Sequence, residues 1–193
     1  NESHLFFGRE NHVKEIMRKL ETYRFVSIVG NSGSGKSSLV RAGILPGMEH
    51  QTEDPWKICI MRPGKDPVVE LCQSLFSIDL LGDQDAQKRL QQISDNLEIL
   101  NKNRLGLVQV LRNNLPPLKK ILILVDQFEE IFRFNKVSTE KDSTSSAHNF
   151  IDLLLGAVGQ KEVPIYVIMT IRSDFLGDCE QFSGLPEAIN DGQ

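Results

Sequence analysis

The chain has 193 residues, 40% of them hydrophobic and 25% charged. That is room for one domain with a substantial core, and ordinary enough to exclude a disordered or fibrous protein. With 22 basic against 26 acidic residues the net charge is −4, which offers no electrostatic footprint for nucleic acid or for an anionic membrane. The longest aliphatic run, Ile121 to Val125, is far short of the roughly 18 apolar residues of a membrane span. Cys59, Cys72 and Cys179 form no CxxC or Cys/His cluster, so neither a disulfide framework nor a structural zinc site is expected, and a reducing, cytoplasmic setting fits. There is no signal-peptide pattern, and the chain starts with Asn1 rather than Met, so it is read as a piece of a longer protein.

Val13, Ile16, Met17 and Leu20 recur at helical spacing and predict a first helix, preceded by Phe6-Phe7-Gly8-Arg9-Glu10. The two aromatics could wall an adenine ring, but stapling that helix to the core is the simpler use. A first strand is predicted over Phe25–Gly30, a second over Lys57–Met61, a third over Ile121–Asp126 and a fourth over Ile165–Ile171. Each is a nearly continuous apolar run, as in strands covered on both faces. Between them Val68, Leu71, Cys72 and Leu75 mark a helix, opened by Asp66 as N-cap and Pro67 in the first turn. Leu90, Ile93, Leu97 and Leu100 mark another; Leu107, Val110 and Leu111 a shorter one; Phe150, Leu153, Leu154 and Ala157 a last one. Asn113 to Lys120 reads as a proline-stopped turn, and the Ser/Thr-rich stretch Asn135 to Ser146 as a mobile loop. Strands alternating with helices predict an α/β fold with a mostly parallel sheet between helical layers.

Directly after the first strand stands Gly30-Asn31-Ser32-Gly33-Ser34-Gly35-Lys36-Ser37, which fits G-x-x-x-x-G-K-[ST] in the strand-to-helix context that this pattern requires. A polyphosphate needs convergent N–H donors, so the loop at Ser32, Gly33, Ser34 and Gly35 must curl with its amides inward, which glycine permits. The following helix adds its N-terminal dipole. Lys36 would bridge the β- and γ-phosphates, the Ser37 hydroxyl would ligate Mg²⁺, and Ser38 lies beside the α-phosphate. Lys36 has no evident structural partner.

The third strand ends in Asp126, the acid expected to complete the Mg²⁺ environment with Ser37; capping the next helix is the alternative use. Hydrolysis also needs a carboxylate to polarise the attacking water. Glu129 and Glu130 are the candidates, although both also suit the first turn of a solvated helix. Gln127, directly after the Asp, can orient a water but cannot take its proton. The fourth strand delivers Thr170 and Arg172 to the same sheet edge, where Arg172 either reaches the γ-phosphate or pairs with Asp174 or Asp178. His4, His12, His50 and His148 have no ligand spacing, and Trp56 reads as an anchor of the second strand. Asp126-Gln127-Phe128-Glu129 lacks the glycine that common GTPases place in a D-x-x-G after the Mg²⁺ Asp, and Asn135-Lys136-Val137-Ser138 lacks the Asp of their N/T-K-x-D motif and does not follow a strand, so ATP is the expected nucleotide.

The combination of Phe7-Gly8-Arg9-Glu10, the loop from Gly30 through Ser38 continuing as Leu-Val-Arg-Ala-Gly-Ile-Leu-Pro46, Val125-Asp126-Gln127-Phe128-Glu129-Glu130-Ile131-Phe132, and Thr170-Ile171-Arg172-Ser173-Asp174-Phe175 resembles the novel STAND NTPases, relatives of NACHT and NB-ARC proteins. The resemblance spans Phe6 to about Glu187. It implies that Gly8 and Arg9 lie at the adenine side and that Lys36, Ser37 and Asp126 hold Mg–ATP. Glu129 and Glu130 would be the paired acids of an extended Walker B motif, and Arg172 a sensor arginine. It further implies a nucleotide-controlled signalling switch with slow hydrolysis, self-oligomerisation, and sensor and effector domains in a longer chain. Sheets of this class have five strands, so a fifth is expected beyond Gln193. A non-hydrolytic ATP-binding scaffold is the alternative that Gln127 favours; a DNA-acting ATPase is disfavoured by the acidic balance.

Overall fold

The computed structural model describes residues 10–49, 56–76, 86–114, 120–137 and 141–193. Four strands, β1 (Phe25–Gly30), β2 (Lys57–Met61), β3 (Ile121–Val125) and β4 (Ile165–Arg172), pair in the order β1-β4-β3-β2, all parallel. Their bounds match the predicted strands to within a residue. All five residues of β3 are buried because β2 and β4 flank it and helices cover both of its faces.

The pleat divides those residues between two cores. Ile121, Ile123 and Val125 join a large cluster with Leu71, Leu111, Phe150 and Leu154, while Leu122, Leu124 and Ile168 face the other side with Leu20, Val40, Ile44 and Met48. The second face is covered by α1 (Glu10–Tyr23) and by a composite helix after β1. That helix begins as α2 (Lys36–Ser38), widens into a π-helical stretch over Leu39–Ile44 and resumes as α3 (Leu45–Glu49). The first face carries α4 (Pro67–Phe76), α5 (Ala86–Lys102) and α6 (Gly106–Asn114), then α7 (Glu130–Val137) and α8 (Lys141–Gly159). Short 3₁₀ turns follow β4 and lead into α9 (Leu185–Gly192), which packs against β1. This is the expected three-layer α/β arrangement. The Asp66 cap of α4 forms as expected, Val69 N–H donating to Asp66 Oδ1 at 3.3 Å.

One expectation is overturned. Of the stretch Asn135 to Ser146, expected as a mobile loop, the described residues are helical: α7 runs through Val137 and α8 begins at Lys141, with residues 138–140 outside the described residues. Ser and Thr are poor helix formers, but tertiary anchoring outweighs that preference here. Ala147, Phe150 and Ile151 are buried on one face of α8, and the Ser146 hydroxyl donates to Asp66 Oδ1 at 2.6 Å.

Parallel pairing sets up the site. Gly30 pairs with Arg172 and Val125 with Met169, so the carboxyl ends of β1, β3 and β4 lie together at one edge of the sheet. The chain leaves β1 at one side and re-enters at β2 on the other, the crossover pattern that opens a crevice at that edge.

Candidate functional site

Gly33 and Gly35 adopt φ of 74° and 82°, the left-handed region that curls the loop and turns it into the N-terminus of α2. A Cβ at Gly30 would lie 2.9 Å from Ser34 Oγ, so the serine side chain would have to turn aside to admit one. Lys36 does have structural partners: its ammonium donates to the carbonyls of Gly30 and Asn31, each at 2.8 Å. At the tip, Ser173 Oγ donates to Asn31 Oδ1 at 2.8 Å and ties the loop to the segment after β4.

Asp126 is fully buried. Its Oδ1 accepts from Ser37 Oγ at 2.6 Å and from Thr170 Oγ1 at 2.8 Å, and its Oδ2 from Arg41 Nη2 at 3.2 Å. Burial pushes the carboxyl pKa upward, but the Ser37 and Thr170 hydrogen bonds and the Arg41 charge outweigh it, and the group stays ionised below its usual range. This donor set fits a hard divalent cation. Because the Ser37 proton is committed to Asp126, the serine oxygen has lone pairs left to offer a metal. Among the described residues no group of three or more His, Cys, Asp or Glu could hold a metal alone.

Thr170 also accepts from Gln127 N–H at 2.9 Å, and its carbonyl accepts from Phe128 N–H at 2.9 Å. Gln127 is thereby held at φ 58°, uncommon for a residue other than glycine. This turn separates the two glutamates. Glu129 is 7% exposed, lines the crevice, and its Oε2 has no hydrogen-bond partner among the described residues. Glu130, in the first turn of α7, accepts through Oε2 from Gly64 N–H at 3.4 Å, toward the turn after β2. Arg172 pairs with Asp174, one of the two uses read for it. Its Nε and Nη2 donate to Asp174 at 3.0 and 2.6 Å, its guanidinium lies 5.4 Å from the centre of the Phe175 ring, and it still lines the crevice. The hydrogen bonds from Arg172 keep the Asp174 carboxyl below its usual range.

The crevice is an open cleft of about 320 Å³ lined by residues 32–38 with Gln127, Glu129, Thr170 and Arg172. A second groove, of about 420 Å³, abuts it beside α1, between His12, Ile16 and Leu39, and shares Ser34 and Lys36 with it. Of the anticipated residues, Ser32, Gly33, Ser34, Gly35, Lys36, Ser37, Ser38, Glu129 and Arg172 therefore meet in one cleft, with Asp126 beneath them. Glu130 is not among its lining residues, and Gly8 and Arg9 lie outside the described residues. The sequence reading missed Arg41. Its position four residues after Ser37, one helical turn on, was the available signal.

A glycine-rich loop between a parallel strand and a helix, with a buried acid at the end of a neighbouring strand bonded to the loop serine, is the core of a P-loop NTPase. Within that class, the sequence pattern of the Novel STAND NTPase 1 family matches residues 1–193, and the chain belongs to that family. Comparison with individually curated proteins returns no match. No helix among the described residues is long and apolar enough to cross a membrane.

Proposed function

We propose that the domain binds Mg–ATP and hydrolyses it slowly, as a nucleotide-controlled switch. The observation that carries this reading is the buried Glu129 carboxylate, whose Oε2 has no hydrogen-bond partner among the described residues, in the same cleft as Lys36, Ser37 and Arg172. A carboxylate oxygen that is buried and left without a donor is costly unless something else meets it, and a water in line for attack on phosphorus would do so. The loop amides and the α2 N-terminus take up the phosphates, and Lys36 exchanges its two carbonyl partners for phosphate oxygens. Ser37 and Asp126 hold the Mg²⁺, which neutralises phosphate charge when bound. Glu129 orients the water and accepts its proton; Arg172 offers its guanidinium to the charge developing on the γ-phosphate. The apolar groove beside α1 is the surface available to the base. The switch acts through self-association and through sensor and effector domains of a longer chain.

The scaffold reading would leave Glu129 without a task, so we favour hydrolysis. Single-turnover hydrolysis by Glu129→Gln should fall about a hundredfold or more with nucleotide affinity kept, whereas Glu130→Gln should change by less than about threefold. An unchanged rate in Glu129→Gln would overturn the assignment.

A further inference from the structure

Arg41 lies in the run that follows the glycine-rich loop, where the sequence assigns it no role, yet it supplies the guanidinium hydrogen bond to the carboxylate at the centre of the site. It follows Ser37 by four residues, so one helix sends both side chains to Asp126: the serine to Oδ1 and the arginine to Oδ2. It sits in the π-helical stretch Leu39–Ile44, an irregularity frequent at functional sites. The two ends of the ion pair differ in setting. The Asp126 side chain is fully buried, while that of Arg41 is 47% exposed and has solvent to move into.

We propose that Arg41 is a built-in competitor of the metal: it neutralises Asp126 when no divalent cation is bound and must release Oδ2, or oppose the cation, when one binds. The proposal rests on the reading that Ser37 and Asp126 hold Mg²⁺. A buried carboxylate without a counter-charge is strongly destabilising, so the metal-free state needs a resident cation. Among the described residues the groups that meet the Asp126 carboxylate are Ser37, Thr170 and Arg41; the two hydroxyls donate hydrogen bonds, and of these three Arg41 alone brings charge. Adding a divalent ion while the guanidinium stays 3.2 Å away would set three positive charges against one carboxylate. Metal binding is therefore an exchange, and Arg41 lowers the Mg²⁺ affinity of the site while keeping the metal-free fold intact.

The test measures ADP affinity with Mg²⁺ and with EDTA, and separately the retention of Mn²⁺ by electron paramagnetic resonance, for wild type, Arg41→Gln and Arg41→Lys. The enhancement of ADP binding by Mg²⁺, and Mn²⁺ retention with it, should rise about fivefold in Arg41→Gln, the scale set by a half-exposed ion pair. Arg41→Lys, which keeps the charge, should stay within about twofold of wild type. The same enhancement in Arg41→Gln as in wild type overturns the proposal but leaves the Ser37–Asp126 reading standing. A wild type whose ADP binding is indifferent to Mg²⁺ and which retains no Mn²⁺ removes both. Should Arg41→Gln fail to fold even when prepared in Mg²⁺ and ADP, where Arg41→Lys folds, Arg41 is structural and the proposal falls.

Discussion

Three cations at the sheet edge are each held by protein acceptors: Lys36 by the Gly30 and Asn31 carbonyls, Arg41 by Asp126 and Arg172 by Asp174. Nucleotide binding at this edge, as proposed, would be a set of partner exchanges, and its net affinity a difference between two hydrogen-bonded states. Lys36→Ala tests the first of them. It should abolish the stabilisation that wild type gains from Mg–ATP, about 2.7 kcal/mol at a hundredfold excess over Kd. It should also lower the stability of the ligand-free protein slightly, since the loop carbonyls lose a charged donor. A thermal-shift titration measures both. An undiminished ligand-induced shift in the variant would mean that the nucleotide binds elsewhere.

At the scale of elements, α8 approaches the turn between α5 and α6 more closely than an ordinary side chain permits. Gly156 lies inside α8, where glycine costs about 1 kcal/mol relative to alanine, so propensity alone makes Gly156→Ala stabilising. A Cβ at that position would lie 2.2 Å from the Arg104 carbonyl oxygen, which is backbone and cannot swing aside. The expected sign therefore reverses. Gly156→Ala should destabilise by about 1–3 kcal/mol in urea denaturation, the usual cost of overpacking, and a stabilised variant would contradict this packing. Contacts of this kind were invisible in the sequence, where Gly156 reads only as a weak helix position. The strands were legible because each is a short apolar run and β3 and β4 are covered on both faces. The helical start of α8 was not, because residues that favour turns are held there by Ala147, Phe150 and the Ser146–Asp66 hydrogen bond. At the site, Gly33, Gly35, Lys36 and Asp126 were readable as a motif. The division between Glu129 and Glu130 was not, since it depends on the left-handed turn at Gln127 and on Phe128 being driven into the core. Arg172 reaches the same region: it rests on Phe175, whose ring stacks on Phe132 of α7 at 5.8 Å. The aromatic contact links the end of β4 to the helix that follows the acidic pair.

For the whole molecule the test is whether the large core on one face of the sheet unfolds as a single cooperative unit together with the helices. Cys59 on β2, Cys72 on α4 and Cys179 in the turns after β4 are distant in sequence yet belong to the same buried cluster. Burial pushes the Cys59 thiol up to about 12 and the Cys72 thiol up to about 11; at Cys179 burial, with the nearby Asp178 charge adding to it, gives about 12. The thiolate is the species that alkylates, and a thiol near 12 is ionised in only about one molecule in ten thousand at pH 8. Native protein should accordingly resist iodoacetamide at all three positions. The sign with pH is fixed by the raised values: labelling of the native state should stay slow through pH 9, where an ordinary exposed cysteine is already largely ionised. Adding urea at pH 8 exposes the thiols and restores ordinary reactivity. If the large core unfolds as one unit, the three sites gain label at the same urea midpoint, and that midpoint coincides with loss of helix by circular dichroism. Peptide mapping of the alkylated chain reads each cysteine separately. Early labelling of Cys179 alone would show that the turns after β4 and α9 open as a separate unit, and would detach the Arg172 segment from the cooperative core.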